Sequence, residues 1–469
     1  MNDPLRTPTD AMPKGIRKGW ILIVIAAVIS YGLYHILPYD ENANKGLALL
    51  TFIAILWLTE AIHITITALL VPILAVVLAM PMAKGDELEP ITTQAALTTF
   101  ADPTIFLFFG GFALASALHI QKLDKKIATW IISLSGGHLG ASVLAIFLVT
   151  AALSMWISNT ATAAMMLPLA LGLLSHLDVE KDRKTFVFIL LGIAYSASIG
   201  GLGTIVGSPP NAIAAKALGY DFADWMKVGL PMMFIILPAM LVSLYLVLRP
   251  KLNHKVNFVT ENIPWTTTRI ATMILFLCTA TAWIFSKKLT ENFGISQPDT
   301  WIAILAACMV VILGTATWKQ VAENTDWGVL YLFGGGLTLS AVLKDSGSSL
   351  VLGQTLANAF GDASPLMIIF VVATFIIFLT ELTSNTASAA LLVPVFAAIA
   401  DQMGMPKEIL VIVIGIGASC AFMLPVATPP NAIVFGSGHI PQREMMKVGF
   451  VLNVMCVVLV SLFIYWFFI

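Results

Sequence analysis

The stretch SNTATAAMMLP, Ser158 to Pro168, occurs a second time as SNTASAALLVP, Ser384 to Pro394. Each copy opens on three short polar residues embedded in long apolar surroundings. No water reaches hydrocarbon, so polar or irregular backbone at that depth has to line a space enclosed by protein. One such tip in each half of the chain points to a site shared by the two halves.

Of 469 residues, 58% are hydrophobic and 11% are charged, against about 25% charged in a soluble domain. The apolar runs last roughly 17 to 25 residues without alternating, so they span as helices and not as barrel strands. An all-α polytopic membrane protein follows. The formal net charge of −1 averages over faces that never share a solvent, and no basic patch suggests nucleic acid. Cys278, Cys308, Cys420 and Cys456 lie in apolar runs without Cys-x-x-Cys spacing and read as buried, inert thiols. The seven histidines are scattered, which argues against a transition-metal site.

Residues 1–18 read as a cytoplasmic tail, because Arg6, Lys14, Arg17 and Lys18 precede the first span. Residues 19–38 are long enough to span and show no cleavage pattern, so they read as an anchor, not a signal. The acidic stretch 39–45 reads as an external loop. Spans over 46–62 and 64–80, an external segment 81–103 and a span over 104–120 follow. Lys122, Lys125 and Lys126 then mark the cytoplasm.

The arms 141–157 and 161–174 flank Ser158-Asn159-Thr160 and end at Lys181, Arg183 and Lys184. Basic loops on both sides mean the chain returns to the side it left, so 141–174 is a re-entrant hairpin. Residues 186–218 are too long for one span and are interrupted by GSPPN, Gly207 to Asn211. Two prolines remove two backbone donors and break the helix. A span over 228–248 closes a first repeat, 46–249, and 250–268 read as a cytoplasmic linker.

The second repeat, 269–469, has spans over 269–285, 301–317 and 327–343. Its hairpin covers 365–400 and enters from outside. A broken helix over 407–437 is interrupted by ATPPN, Ala427 to Asn431. A cytoplasmic loop with His439, Arg443 and Lys447 precedes the last span, 448–469, which leaves the C-terminus outside. About eleven transmembrane helices and two hairpins result. Lys287 and Lys288 go against the charge rule.

Four blocks recur in order. Ser158 and Ser384 stand 226 apart (384 − 158), Phe109-Gly110-Gly111 and Phe333-Gly334-Gly335 stand 224 apart (333 − 109), and Pro209-Pro210-Asn211 and Pro429-Pro430-Asn431 stand 220 apart (429 − 209). Lys227-Val228-Gly229 and Lys447-Val448-Gly449 repeat the last spacing (447 − 227). Five spans per repeat invert the second copy in the bilayer, so the hairpins enter from opposite sides and their tips meet near the midplane. Inverted repeats with helices broken at matching positions point to the binding site of a secondary transporter.

Hairpin tips and unwound helices supply free carbonyls and amides, and a hard cation such as sodium takes oxygen ligands. One candidate cage is Ser154, Ser158, Asn159 and the Gly207 carbonyl. Its mate is Thr380, Ser384, Asn385 and the Ala427 carbonyl. The helix N-termini that follow the tips favour an anion. Ser158, Asn159, Thr160 and Ser384, Asn385, Thr386 are candidate donors to carboxylate oxygens, extended by Ser208-Pro209 and Thr428-Pro429. No Arg or Lys falls in these segments, so a bound dianion is to be neutralised by sodium and amides, which makes anion binding depend on the cation. Glu60 and Glu381 are the conspicuous acids. Intramembrane acids often carry protons, but Glu381 has Met155 as its repeat mate, and a structural or interfacial role is the reading for both. The glycine pairs read as close-packing points. A nucleophilic Ser158 or Ser384 would need a base, and neither motif holds a His or Lys. A static pore has no use for broken inverted repeats.

The paired Ser-Asn-Thr tips and Pro-Pro-Asn breaks resemble the divalent anion:sodium symporter family, which includes sodium-dependent dicarboxylate carriers. The likeness covers nearly the whole chain after the tail. Gly207-Ser208 stand where the second break has Ala427-Thr428, a change the family tolerates. The resemblance implies a homodimer whose protomers each have a scaffold domain and an elevator-like transport domain holding both hairpins and both broken helices. It implies that the tips bind carboxylates and flank two sodium sites, on the residues named above. The function to expect is import of C4-dicarboxylates (succinate, fumarate, malate) across a bacterial inner membrane. Na+ is the co-transported ion, with no organic cofactor and no enzymatic activity. Exchange, proton coupling, and tricarboxylate or sulfate transport are the alternatives within the family.

Overall fold

A computed structural model describes residues 14–84, 87–175, 177–254, 263–361 and 363–469. Most of the tail with Arg6, Asp86 in the external segment, and the linker part 255–262 with Lys255 lie outside the described residues. Among the described residues the fold is all-α apart from one small hairpin. Eight of their helices are long and apolar enough to cross a membrane, or up to ten if each of two bent pairs counts as one pass. Each of the eleven expected passes has a helix. Three are short: Ile64–Val77, Pro298–Ile312 and Lys407–Gly417.

Helix starts differ from the sequence reading where capping chemistry intervenes. The stretch 39–45 is largely helical, not a loop: Asp40 accepts from the amides of Asn42 and Ala43, both at 3.0 Å, and starts the helix Glu41–Thr59. A carboxylate there satisfies free amides and complements the helix dipole. Likewise Asp221 caps Phe222–Leu248, so that helix starts before residue 228. Gln442–Phe468 also starts before 448, directly after Pro441 and without a side-chain cap. Arg443 and Lys447 therefore sit on its first turns. The external segment 81–103 is structured: antiparallel strands Pro81–Lys84 and Glu87–Pro90, then the helix Thr93–Thr98. Cys420 and Cys456 are buried, but Cys278 and Cys308 are exposed, because an apolar span turns one side outward to lipid. The charge-rule exception also has a local cause, since Lys287 reaches Asp224 at 2.9 Å and Asp221 at 3.4 Å.

The two halves interlock. Helix Pro103–Ile120 packs on Pro298–Ile312, and Trp327–Asp345 packs on Ile64–Val77. Each pair joins one repeat to the other. A Cβ on Gly110 would stand 2.5 Å from the Ala303 carbonyl oxygen, and one on Gly335 would stand 2.5 Å from that of Ala68. The repeated glycine blocks are thus the two contact points of a reciprocal clasp.

The hairpins and broken helices form a second cluster. The first hairpin, Leu139–Ser154 and Asn159–Leu174, packs on the first broken helix, Arg183–Gly200 and Pro209–Leu218. The second hairpin, Pro365–Leu379 and Asn385–Gln402, packs on the second, Lys407–Gly417 and Pro429–Phe435. After each break the chain crosses over: Pro209–Leu218 lies against the second hairpin and Pro429–Phe435 against the first. That crossing brings both tips to one place.

Gly110→Val and Gly335→Val each force side-chain atoms into backbone, and overpacking of this kind costs about 1–3 kcal/mol. Each variant should melt below the wild type in detergent by fluorescence thermal unfolding. Unchanged melting would show that the clasp is loose.

Candidate functional site

Each tip is built from a helix start. Ser158 accepts from the Ala161 amide at 3.3 Å and Ser384 from the Ala387 amide at 3.4 Å, so each serine caps the arm that follows it. Behind the tips the buried hydroxyls of Ser154 and Thr380 bond the Asn159 and Asn385 side-chain oxygens. The same hydroxyls reach the carbonyls of Ala197 at 2.7 Å and Ala418 at 3.0 Å. Both asparagine amides thus turn Oδ1 inward. Among the described residues, no protein partner takes up their Nδ2 groups or the hydroxyls of Thr160 and Thr386.

The breaks are held by matching clamps. Asn211 Nδ2 donates to the carbonyls of Gly201 and Thr204, both at 2.7 Å. Asn431 Nδ2 donates to those of Ala421 and Leu424, both at 3.1 Å. The two carbonyl pairs are related by the same spacing of 220 (421 − 201). Unwound backbone in a membrane must be paired within the protein, and one asparagine per break pairs two of its carbonyls. Gly229 and Gly449 let the long helices lie directly on these segments, against the carbonyls of Leu202 and Phe422.

A cavity of about 1340 Å³ lies between the tips. Ser158, Asn159, Thr160, Gly207, Ser208 and Pro209 line it from the first repeat, and Ser384, Asn385, Thr386, Ala427, Thr428 and Pro429 from the second. The structure therefore gathers the whole predicted anion set around one space. Ser154 and Thr380 lie behind it, buried. On the first side two of the predicted cage oxygens lie near one point: a Cβ on Gly201 would stand 2.5 Å from Asn159 Oδ1 and 3.0 Å from the Gly207 carbonyl oxygen. Oxygens of hydroxyl, amide and carbonyl type suit a hard monovalent cation. Among the described residues no group of three His, Cys, Asp or Glu could hold a metal ion.

His119, Asn324 and Asp326 escaped the sequence reading and line the same cavity. Glu60, read as structural or interfacial, and Lys125, read only as a cytoplasmic marker, line it too. His119 Nδ1 sits 2.9 Å from Asp124 Oδ2. Thr204, unremarked in sequence, donates from its hydroxyl to the Met155 carbonyl and receives the Gly207 amide at 3.1 Å. Ser208 has its hydroxyl 3.3 Å from that of Ser419, joining the two breaks.

A second cavity of about 420 Å³ is lined by Gly336, Ser340, Ala390 and Pro394. These are the repeat mates of Phe112, Ser116, Ala164 and Pro168, which line the large cavity. The small space thus shares four repeat-related lining positions with the large one. Lys216, which borders it, pairs with Asp102 at 2.7 Å. Asp326, the mate of Asp102, borders the large cavity, and among the described residues it forms no ion pair.

Comparison with known proteins agrees with this architecture. The signature of the family described as sodium:sulfate symporter transmembrane region matches residues 17–469. An uncharacterized transporter of Haemophilus influenzae is 57% identical over 452 residues, covering 95% of this chain and 96% of that one. A sodium-dependent dicarboxylate transporter, SdcS, of Staphylococcus saprophyticus is 34% identical over 472 residues, covering 91% and 87%. The crystal structure of the Alcanivorax borkumensis YdaH transporter superposes with a TM-score of 0.58 at 13% identity, covering 87% and 98%. That last likeness is one of fold.

Asn211→Ala and Asn431→Ala each strip two carbonyls of their donor, and an orphaned buried polar group costs about 1–3 kcal/mol. Both variants should melt below the wild type in detergent, and the double variant lower still. Wild-type melting in the double variant would show that the breaks hold without their clamps.

Proposed function

This chain belongs to the sodium:sulfate symporter family, and on that premise we propose that it is a sodium-coupled symporter importing C4-dicarboxylates by elevator-type alternating access. The observation that carries the reading is the convergence of two Ser-Asn-Thr tips on one cavity with no Arg or Lys on either tip. A carboxylate in that space meets hydroxyls, two free amide groups and the N-terminal ends of two long helices, Asn159–Leu174 and Asn385–Gln402. Those groups offset only part of a double negative charge. Sodium ions, held by the Ser154–Asn159 and Thr380–Asn385 oxygens with the Gly207 and Ala427 carbonyls, supply the rest. Cation and anion then fill the site together, which is the physical basis of coupling. The name of the Staphylococcus relatives, sodium-dependent dicarboxylate transporter, supports this substrate class.

The two cavities support the alternating-access part of this reading. In the proposed cycle the large one is the open path and its small counterpart is the closed one. The charge rule puts Lys125 and its basic neighbours in the cytoplasm, so the open path faces inward. The transport domain would comprise the hairpins, the broken helices and the long helices 222–248 and 442–468, within a homodimer in a bacterial inner membrane. The Asp102–Lys216 pair joins the helix Pro103–Ile120 to the arm Pro209–Leu218. It ties the proposed scaffold to the moving body on the closed side.

Uptake of labelled succinate into proteoliposomes should require external sodium, with lithium and potassium failing to replace it. Asn159→Ala and Asn385→Ala should each abolish uptake while the protein stays folded. Full activity in either variant would remove that tip from the site, and sulfate uptake without succinate uptake would reassign the substrate. For the closed side, Ser340→Cys is placed in a background with Cys278 and Cys308 changed to serine. Adding Asp102→Asn should speed its reaction with an impermeant maleimide. Equal rates would show that the ion pair does not hold that side shut.

A further inference from the structure

The two breaks are clamped alike by Asn211 and Asn431, but they are not filled alike. Glu381, 3% exposed, turns its carboxylate into the second break. Oε1 accepts from the amides of Phe422 at 2.6 Å and Met423 at 2.9 Å, and Oε2 from that of Leu424 at 3.0 Å. Asn453 Nδ2, from the last long helix, adds a fourth donor at 2.7 Å. Three successive amides aimed at one point form a concavity that binds anions, and here the anion is a side chain of the neighbouring hairpin. The first break has no counterpart. Met155 occupies the position of Glu381, residues 201–203 turn as a short 3-10 helix, and Thr204 supplies only a hydroxyl.

The consequence is a difference in charge between the two candidate cages. Glu381 follows Thr380 directly, and the amides it holds belong to the segment that runs on to the Ala427 carbonyl. The Ala427 amide itself donates to the Leu424 carbonyl at 3.2 Å. Tyr195 fixes the same segment from the first repeat, its hydroxyl donating to the Phe422 carbonyl at 2.6 Å. Resting on the sodium-coupled reading above, we propose that Glu381 is a positioning residue for the second cation site. Its carboxylate sets the path of residues 422–427 and adds a fixed negative charge beside Thr380 and Asn385. Sodium therefore binds more tightly on that side than at the uncharged cage around Ser154 and Asn159. Glu381 touches neither the substrate nor the ion; it acts through the backbone that it holds.

The test uses the purified full chain in detergent and titrates sodium against choline without dicarboxylate, reading the sodium-dependent rise in melting temperature. Glu381→Gln keeps the shape and removes the charge. It should raise the sodium half-saturation by about tenfold or more, the effect of a lost unit charge in a partly desolvated site. Glu381→Asp should fall between the two. At saturating sodium, the half-saturation for succinate should stay at the wild-type value, a separation that a merely structural loss would not produce. If Glu381→Gln yields no folded protein, Asn453→Ala carries the test. It removes one of the four donors and should move the sodium half-saturation in the same direction. A responsive wild type with unchanged half-saturation in these variants overturns this inference alone. A wild type indifferent to sodium overturns the sodium-coupled reading, and this inference with it.

Discussion

Backbone carbonyls and amides have nowhere to turn at the centre of a bilayer except to other protein groups. Two helices among the chain's apolar passes nevertheless unwind, and the rest of the structure answers that demand. Each Pro-Pro-Asn block does so economically. The prolines bring no donors to be satisfied, and the asparagine spans back to two carbonyls released by the break. A glycine on the following long helix then lets that helix cover the opened segment directly. Pro, Asn and Gly are poor helix formers, and here each one is required by an interruption of helix.

Pseudo-symmetry explains the architecture, and departures from it make its two sides unequal. Two repeats alike in conformation would give two identical cavities. Here the cavities measure about 1340 and 420 Å³. Asp102 is paired with Lys216, but Asp326, at the matching place, has Gly436 opposite it in the repeat and, among the described residues, no ion pair. Glu381 and Met155 differ in the same way. Each departure changes one charge or one partner, and at the breaks it also changes the local backbone.

Much of this was legible because the chain states its plan twice. The tips, the breaks, the glycine clasps and the Lys-Val-Gly contacts are the four repeated blocks, and each has a packing or bonding task that its mate shares. Other features were not legible. Glu381 finds its partners at Phe422, Met423 and Leu424 and on Asn453, 72 residues away, and no local pattern announces that meeting. Lys287 looked misplaced by the charge rule until Asp221 and Asp224 came beside it. Helix starts at Glu41 and Phe222 follow polar residues, where hydropathy is silent and the caps Asp40 and Asp221 decide. The thiols of Cys278 and Cys308 show that an apolar run does not say which of its sides meets lipid.

The glycine clasp also constrains how the protein is made. Gly110 is closed over by Ala303, and Ala68 by Gly335, so each repeat completes its packing on a helix of the other. During synthesis the first repeat enters the membrane with the groove at Gly110 open, and it stays open until residues 298–312 have been threaded in. Neither half is a finished folding unit. The nascent chain carries an uncovered helix face through the translation of nearly two hundred further residues, with lipid or the insertion machinery as its only cover.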